Sequence, residues 1–189
     1  MELLLSIALG IGLSAACGFR IFVPFSVMSI AALTGYLHLS PDFSWIGTYP
    51  ALLAFVTATV LEILAYYIPW LDNLLDTLAT PAAMVAGTIA TASVVTGMSP
   101  LLQWTTAIIA GGVAAGAVQT STTLLRGAST VTTGGMGNFL VATVELIGSI
   151  ITSLLSLLVP WLVLLLTLLL GIWVVRRVMQ PRSHTRQTA

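Results

Sequence analysis

Arg20, Glu62, Arg126 and Glu145 lie within or at the edge of long apolar stretches, and together they carry no net charge. A charge in hydrocarbon costs about 2.5–3.5 kcal/mol even on the lenient insertion scale, so such residues are expected to pair or to perform a function. A carboxylate in these surroundings is protonated, paired with arginine, or beside water, which makes Glu62 and Glu145 candidate proton or cation sites. Arg20 follows Gly18 closely and is a candidate counter-charge, or a contact for an anion or a lipid headgroup. Gln119 opens the polar run Gln119-Thr120-Ser121-Thr122-Thr123, a candidate lining for a hydrated path. The competing reading is that these hydroxyls bond back to their own helix and that the four charges form structural ion pairs.

Other chemistry is poorly represented. The lone Cys17 allows no internal disulfide or cysteine metal cluster, and His38 and His184 lie far from other ligand types. No metal site and no cofactor is expected, and no nucleophile with a base is recognisable, so an enzyme is not expected. Thr133-Gly134-Gly135-Met136-Gly137 lacks the lysine of a phosphate loop and the residue order of a selectivity filter, and reads as a loop. The chain has six Arg, no Lys, three Asp and three Glu among 189 residues, a balance that offers nucleic acid no basic patch.

The elements holding these residues are read from hydropathy. The sequence is 58% hydrophobic, with mean hydropathy +1.06, and its apolar runs are continuous rather than alternating. This predicts an all-α, polytopic transmembrane bundle and excludes a barrel. A span needs about 20 residues, so about six fit. The first apolar segment, Leu3 to Tyr36, would be about 50 Å long as a straight helix. Gly18 and Pro24 are the candidate break points, and a broken segment is predicted rather than a tilted helix kinked at Pro24. Leu13 to Cys17 superficially resembles a lipoprotein cleavage site, but no basic region precedes it and apolar sequence continues beyond it.

Further segments are predicted over Pro50–Ile68, from Thr80-Pro81 to Met98, from Ser99-Pro100 to about Leu125, from Phe139 to Pro160, and over Trp161–Val175. Pro69 to Ala79, with Asp72 and Asp76, reads as a short connection, and Arg126 to Asn138 as a flexible polar one. Residues 1–179 form a single transmembrane domain and 180–189 a polar tail. The arginines Arg176, Arg177, Arg182 and Arg186 place that tail in the cytoplasm. Six crossings would put the N-terminus on the same side, whereas a first segment that is a hairpin would put it outside.

Two stretches, Gly12 to Cys17 and Gly112 to Ala117, look alike, and each is followed by a helix with an acidic residue, Glu62 or Glu145. They suggest candidate repeat halves 1–98 and 99–179, an arrangement in which transporters place sites between repeats. Small residues recur every fourth position, as in Ala8-Gly12-Ala16, Ala79-Ala83-Gly87 and Ala107-Gly111-Ala115. Such faces suit close helix packing within one subunit or a homo-oligomer.

The stretch Leu61-Glu62…Pro69-Trp70-Leu71-Asp72-Asn73-Leu74-Leu75-Asp76…Pro81-Ala82, with Gly12 to Gly18 before it and Glu145 after it, resembles the bacterial membrane family known as domain of unknown function 4126. The resemblance covers most of the chain and implies a multi-pass protein of the bacterial inner membrane; it implies no biochemical activity. The chain has Phe19-Arg20 where relatives often have Asn-Ala, and Tyr66-Tyr67 where they often have Asp-Lys. The expected function is a small transporter or channel for an ion, proton or small solute, working within the lipid bilayer. The alternatives are a non-catalytic scaffold or assembly factor and a lipid-handling protein.

Overall fold

A computed structural model describes residues 2–179, without the side chains of residues 69, 70, 72–74, 76 and 177–179. The polar tail therefore lies outside the described residues, as do the side chains of Asp72 and Asp76. Among the described residues the fold is all-helical: α1 (Glu2–Cys17), α2 (Phe22–Leu33), a 3-10 turn (Pro41–Gly47), α3 (Tyr49–Tyr66), α4 (Pro69–Val94), α5 (Pro100–Thr106), a π-helical stretch (Ala107–Gly112), α6 (Val113–Thr133), α7 (Asn138–Leu158) and α8 (Pro160–Met179). Four helical stretches have the length and hydropathy to cross a bilayer: Tyr49–Tyr66, Thr77–Val94, Pro100–Thr133 and Asn138–Leu158. Three shorter apolar helices, Glu2–Cys17, Phe22–Leu33 and Pro160–Arg176, accompany them.

The first segment is broken where the sequence predicts. Helix α1 ends at Cys17, and the amides of Phe19 and Arg20 both bond back to the Ala16 carbonyl, at 3.1 and 3.2 Å. At 16 and 12 residues, α1 and α2 reach about 24 and 18 Å, each short of a hydrocarbon core of about 30 Å. They form a hairpin. Gly10 packs on Thr91 and Val94 near the end of α4, and past α2 the Ser40 amide bonds to the Ser93 carbonyl, at 2.8 Å, at that same end. Pro24 lies in the first turn of α2, where its missing N–H costs nothing, so it helps to start α2 and does not kink it.

Contacts between pairs of residues give the helix directions. Ser14 meets Thr91 and Gly12 lies against Ser156, so α1 runs antiparallel to α4 and α7. Ser26 meets Thr59 and the Phe22 amide meets Glu62, so α3 is antiparallel to α2. Gly116 lies on Met84 and Gly111 on Thr91, making α6 antiparallel to α4. With α8 leaving from the end of α7, Glu2 and Met179 lie at opposite ends of the bundle. Five helical rods run through, and the hairpin enters from the Glu2 end.

Two expected boundaries are corrected. Thr80-Pro81 does not start a helix, because α4 begins at Pro69 and runs on through Pro81; neighbouring helices at membrane depth tolerate a proline there. Nor is Arg126 to Asn138 a loop, since α6 continues to Thr133 and only the turn around Gly134 and Gly135 follows, both at positive φ. The hydroxyls of Thr130, Thr132 and Thr133 bond back one turn, so their polarity is spent on their own helix backbone.

Small residues fill the centre. A Cβ on Gly18 would come within 2.6 Å of Val118, and one on Gly87 within 3.0 Å of the Gly111 carbonyl and 3.2 Å of Ser14. The small-residue faces of α1, α4, the π stretch and α6 thus meet one another within the chain, and the two look-alike stretches flank the same face of α4. The π turn contains Gly111 and Gly112 and adds a residue to the helix, shifting the register of α6 against α4.

Candidate functional site

The hairpin tip positions Arg20. Its side chain is 2% exposed, held from one side by α7, where Nη2 donates to the Ala142 carbonyl at 3.0 Å and lies 3.5 Å from Glu145 Oε2. Ser149 on α7 steadies the turn beneath it by donating to the Ala16 carbonyl, at 3.0 Å. Because Gly18 lets the tip press against Ala115 and Val118, Arg20 lies deep in the bundle.

Glu145 is the centre of an ion cluster. Arg126 Nε donates to its Oε1 at 2.8 Å, and Arg126 Nη2 binds its Oε2, a two-pronged pair between α6 and α7. Both partners are buried, at 2% and 4% exposure. Two guanidinium groups converge on one carboxylate, and the ring of Tyr66 adds a third partner. The guanidinium carbons of Arg20 and Arg126 lie 3.8 and 4.4 Å from its centroid. Such contacts with an aromatic face stabilise a cation by about 0.5–2 kcal/mol, more where water is excluded. Tyr67 anchors the end of α3 to α7 through Thr143 Oγ1 at 3.1 Å and the Phe139 ring at 5.0 Å, which sets Tyr66 over the arginines.

Glu62 has a different environment. Its two oxygens accept the amide protons of Ile21 and Phe22, at 2.8 and 3.1 Å, so a side chain from α3 caps the start of α2. A carboxylate there meets the unsatisfied first-turn N–H groups and the positive end of the helix dipole. It is half-buried and lines a cavity of about 320 Å³ between α2, α3 and α4, with Tyr66 and otherwise apolar walls including Leu61, Leu78 and Ala82.

The structure thus gathers Arg20, Arg126 and Glu145 into one cluster, with Glu62 on the adjoining turn of the hairpin. The expected contact of Arg20 with a carboxylate is present, and the carboxylate is Glu145. Gln119 stays on its own helix: it is 5% exposed and donates to Thr123 Oγ1 at 3.4 Å, while Thr120, Ser121, Thr122 and Thr123 bond back to the α6 backbone. Gly18 and Pro24 flank the tip. Tyr66 is not among the residues that the sequence marks as site candidates. Its one helical turn from Glu62 is the signal that could have found it.

Nε and Nη1 of Arg20 are buried and meet no hydrogen-bond acceptor among the described residues. A cation with two unspent donors can hold water or an anionic group. No group of three or more His, Cys, Asp or Glu side chains that could hold a metal ion occurs among the described residues.

The pairs Phe19-Arg20 and Tyr66-Tyr67, far apart in the chain, meet through the stacking of Arg20 on Tyr66. No curated protein and no solved structure matches this chain. A family model matches residues 7–179, and with that match the chain belongs to the family described as domain of unknown function (DUF4126).

Proposed function

We propose that the protein is a small transporter or channel for an ion, a proton or a small solute, with its working site at the tip of the α1–α2 hairpin. The observation that carries this reading is the unspent donor capacity of Arg20. Its Nε and Nη1 face no acceptor among the described residues, at the break of a helical hairpin deep in the bundle. Irregular backbone at that depth is tolerated where it is buried in protein or lines a polar cavity, and it is how transporters build substrate sites.

Roles divide within the cluster. Glu145, held by two arginines, fixes the site electrostatically. Glu62, held only by backbone amides and bordering a cavity, is the group free to exchange a proton or meet a cation. No catalysis is assigned to the site. The arginines at the end of α8 favour placing the Met179 end of the bundle in the cytoplasm of a bacterial inner membrane, which puts the Glu2 end outside.

The test is flux into liposomes, followed for protons and common ions. Wild-type protein carries one of them, and Glu62→Gln abolishes that flux while remaining extractable and folded. A variant transporting at the wild-type rate removes Glu62 from the mechanism. A second reading, a non-catalytic scaffold, is favoured by the two-pronged Arg126–Glu145 pair, which suits a permanent lock between α6 and α7. Wild-type liposomes silent to every ion tested would select that reading.

A further inference from the structure

Helix α8 buries little of itself: among the described residues only Val163 and Val174 on it are buried. Three cavities line it: about 560 Å³ against α1, the π stretch and α6, about 380 Å³ against α6, and about 210 Å³ against α1, α6 and α7. The largest is a long apolar cleft. Its floor is Ala110, Ala114 and Ala117, its outer wall includes Gly171 and Ile172, and Arg176 lies at its Met179 end. A Cβ on Gly171 would meet nothing within 4 Å. This glycine therefore serves no close helix contact and leaves the groove open. Arg176 is exposed and makes no hydrogen bond or ion pair with any described residue.

An apolar groove of small residues ending at an unpaired arginine complements one kind of molecule: an acyl chain joined to a negatively charged headgroup. We propose that this cleft is a binding site for an anionic phospholipid, its chain along Ala110, Ala114 and Gly171 and its phosphate at Arg176. The inference does not depend on the transport reading, since no residue of the cleft belongs to the hairpin site. It gives α8 the packing that the protein alone does not supply. Basic residues at the end of a transmembrane helix attract anionic headgroups, and the groove adds selectivity for a chain.

The experiment uses full-length protein in detergent, titrated with phosphatidylglycerol or phosphatidylcholine and followed by native mass spectrometry. About one phosphatidylglycerol is retained per chain, and phosphatidylcholine is bound more weakly. Arg176→Gln weakens phosphatidylglycerol binding by about fivefold, the equivalent of the roughly 1 kcal/mol that one arginine contributes near such a headgroup. Gly171→Leu, which changes no charge, blocks the groove and weakens both lipids. Glycerol phosphate, having the headgroup charge without a chain, does not compete.

Four outcomes overturn the proposal. Equal binding of the two lipids, or competition by glycerol phosphate, excludes a site that reads both chain and charge. Unchanged binding in Gly171→Leu, with folding verified by circular dichroism, excludes the cleft. A wild-type dimer that Gly171→Leu converts to monomer assigns the groove to a second copy of the chain.

Discussion

Glu145 and Glu62 are both carboxylates on lipid-embedded helices, yet their surroundings differ in kind. Glu145 is 4% exposed and is satisfied by the charged side chains of Arg126, from α6, and Arg20, from the hairpin tip. Glu62 is half-buried, accepts only from two backbone amides, and borders a cavity. Removing the first leaves two buried cations without compensation. Removing the second leaves two neutral N–H groups beside a cavity. The difference separates a charge that ties helices together from one that only caps a helix beside a cavity.

The largest effect is expected from Glu145→Ala. Breaking a buried pair costs about 3–5 kcal/mol, because the surviving charge keeps its desolvation penalty. The variant should accumulate poorly or melt well below wild type in detergent, and a double change with Arg126→Leu should recover part of the loss. A melting point unchanged by Glu145→Ala would erase the contrast between the two carboxylates.

Next in size is Gly18→Val, which tests whether the hairpin tip depends on close approach. Its Cβ would press on the Ala115 carbonyl and Val118, and such overpacking costs about 1–3 kcal/mol. Thermal melting should fall accordingly, with Gly127→Ala as a control for general loss: that site is helical and open, so no loss is expected.

Glu62→Gln sharpens the comparison from the other side. The amide oxygen can still accept one of the two N–H groups, so the loss should resemble that of a weakened helix cap, about 0.5–2 kcal/mol. Melting should drop far less than for Glu145→Ala while flux disappears. Equal destabilisation by both changes would make Glu62 a second lock rather than a working group.

The smallest effect is expected from Tyr66→Leu. It keeps bulk but removes the aromatic face beneath both arginines, about 0.5–2 kcal/mol shared between two contacts. Tyr66→Phe, which keeps the ring, should melt above Tyr66→Leu in the same assay by the share that the aromatic face contributes.

How much of this could be read beforehand differs from element to element. The break near Gly18 was legible because a mostly apolar segment of 34 residues, Leu3 to Tyr36, cannot lie straight in a bilayer, and the membrane imposes that limit regardless of partners. The start of α4 was not. Thr80-Pro81 carries every local mark of an N-terminus, and only packing keeps the helix running through it. Arg126 looked like the first residue of a polar loop because Ser, Thr and Gly follow it. In the fold those hydroxyls bond to their own helix, and Arg126 turns inward.

The sequence by itself determined that this chain is a helical membrane bundle, and that Arg20, Arg126, Glu62 and Glu145 must be neutralised. Hydrocarbon makes both demands of any chain, wherever the residues finally lie. Which charge meets which was decided only by the tertiary structure. Arg126 and Glu145 are 19 positions apart and face each other across a short turn. Arg20 reaches Glu145 across 125 positions, and Glu62 is drawn to the amides of Ile21 and Phe22. Those pairings follow from the hairpin reversing direction at Gly18 and from the antiparallel order of α3 and α7 around it. No local pattern encodes such long-range geometry.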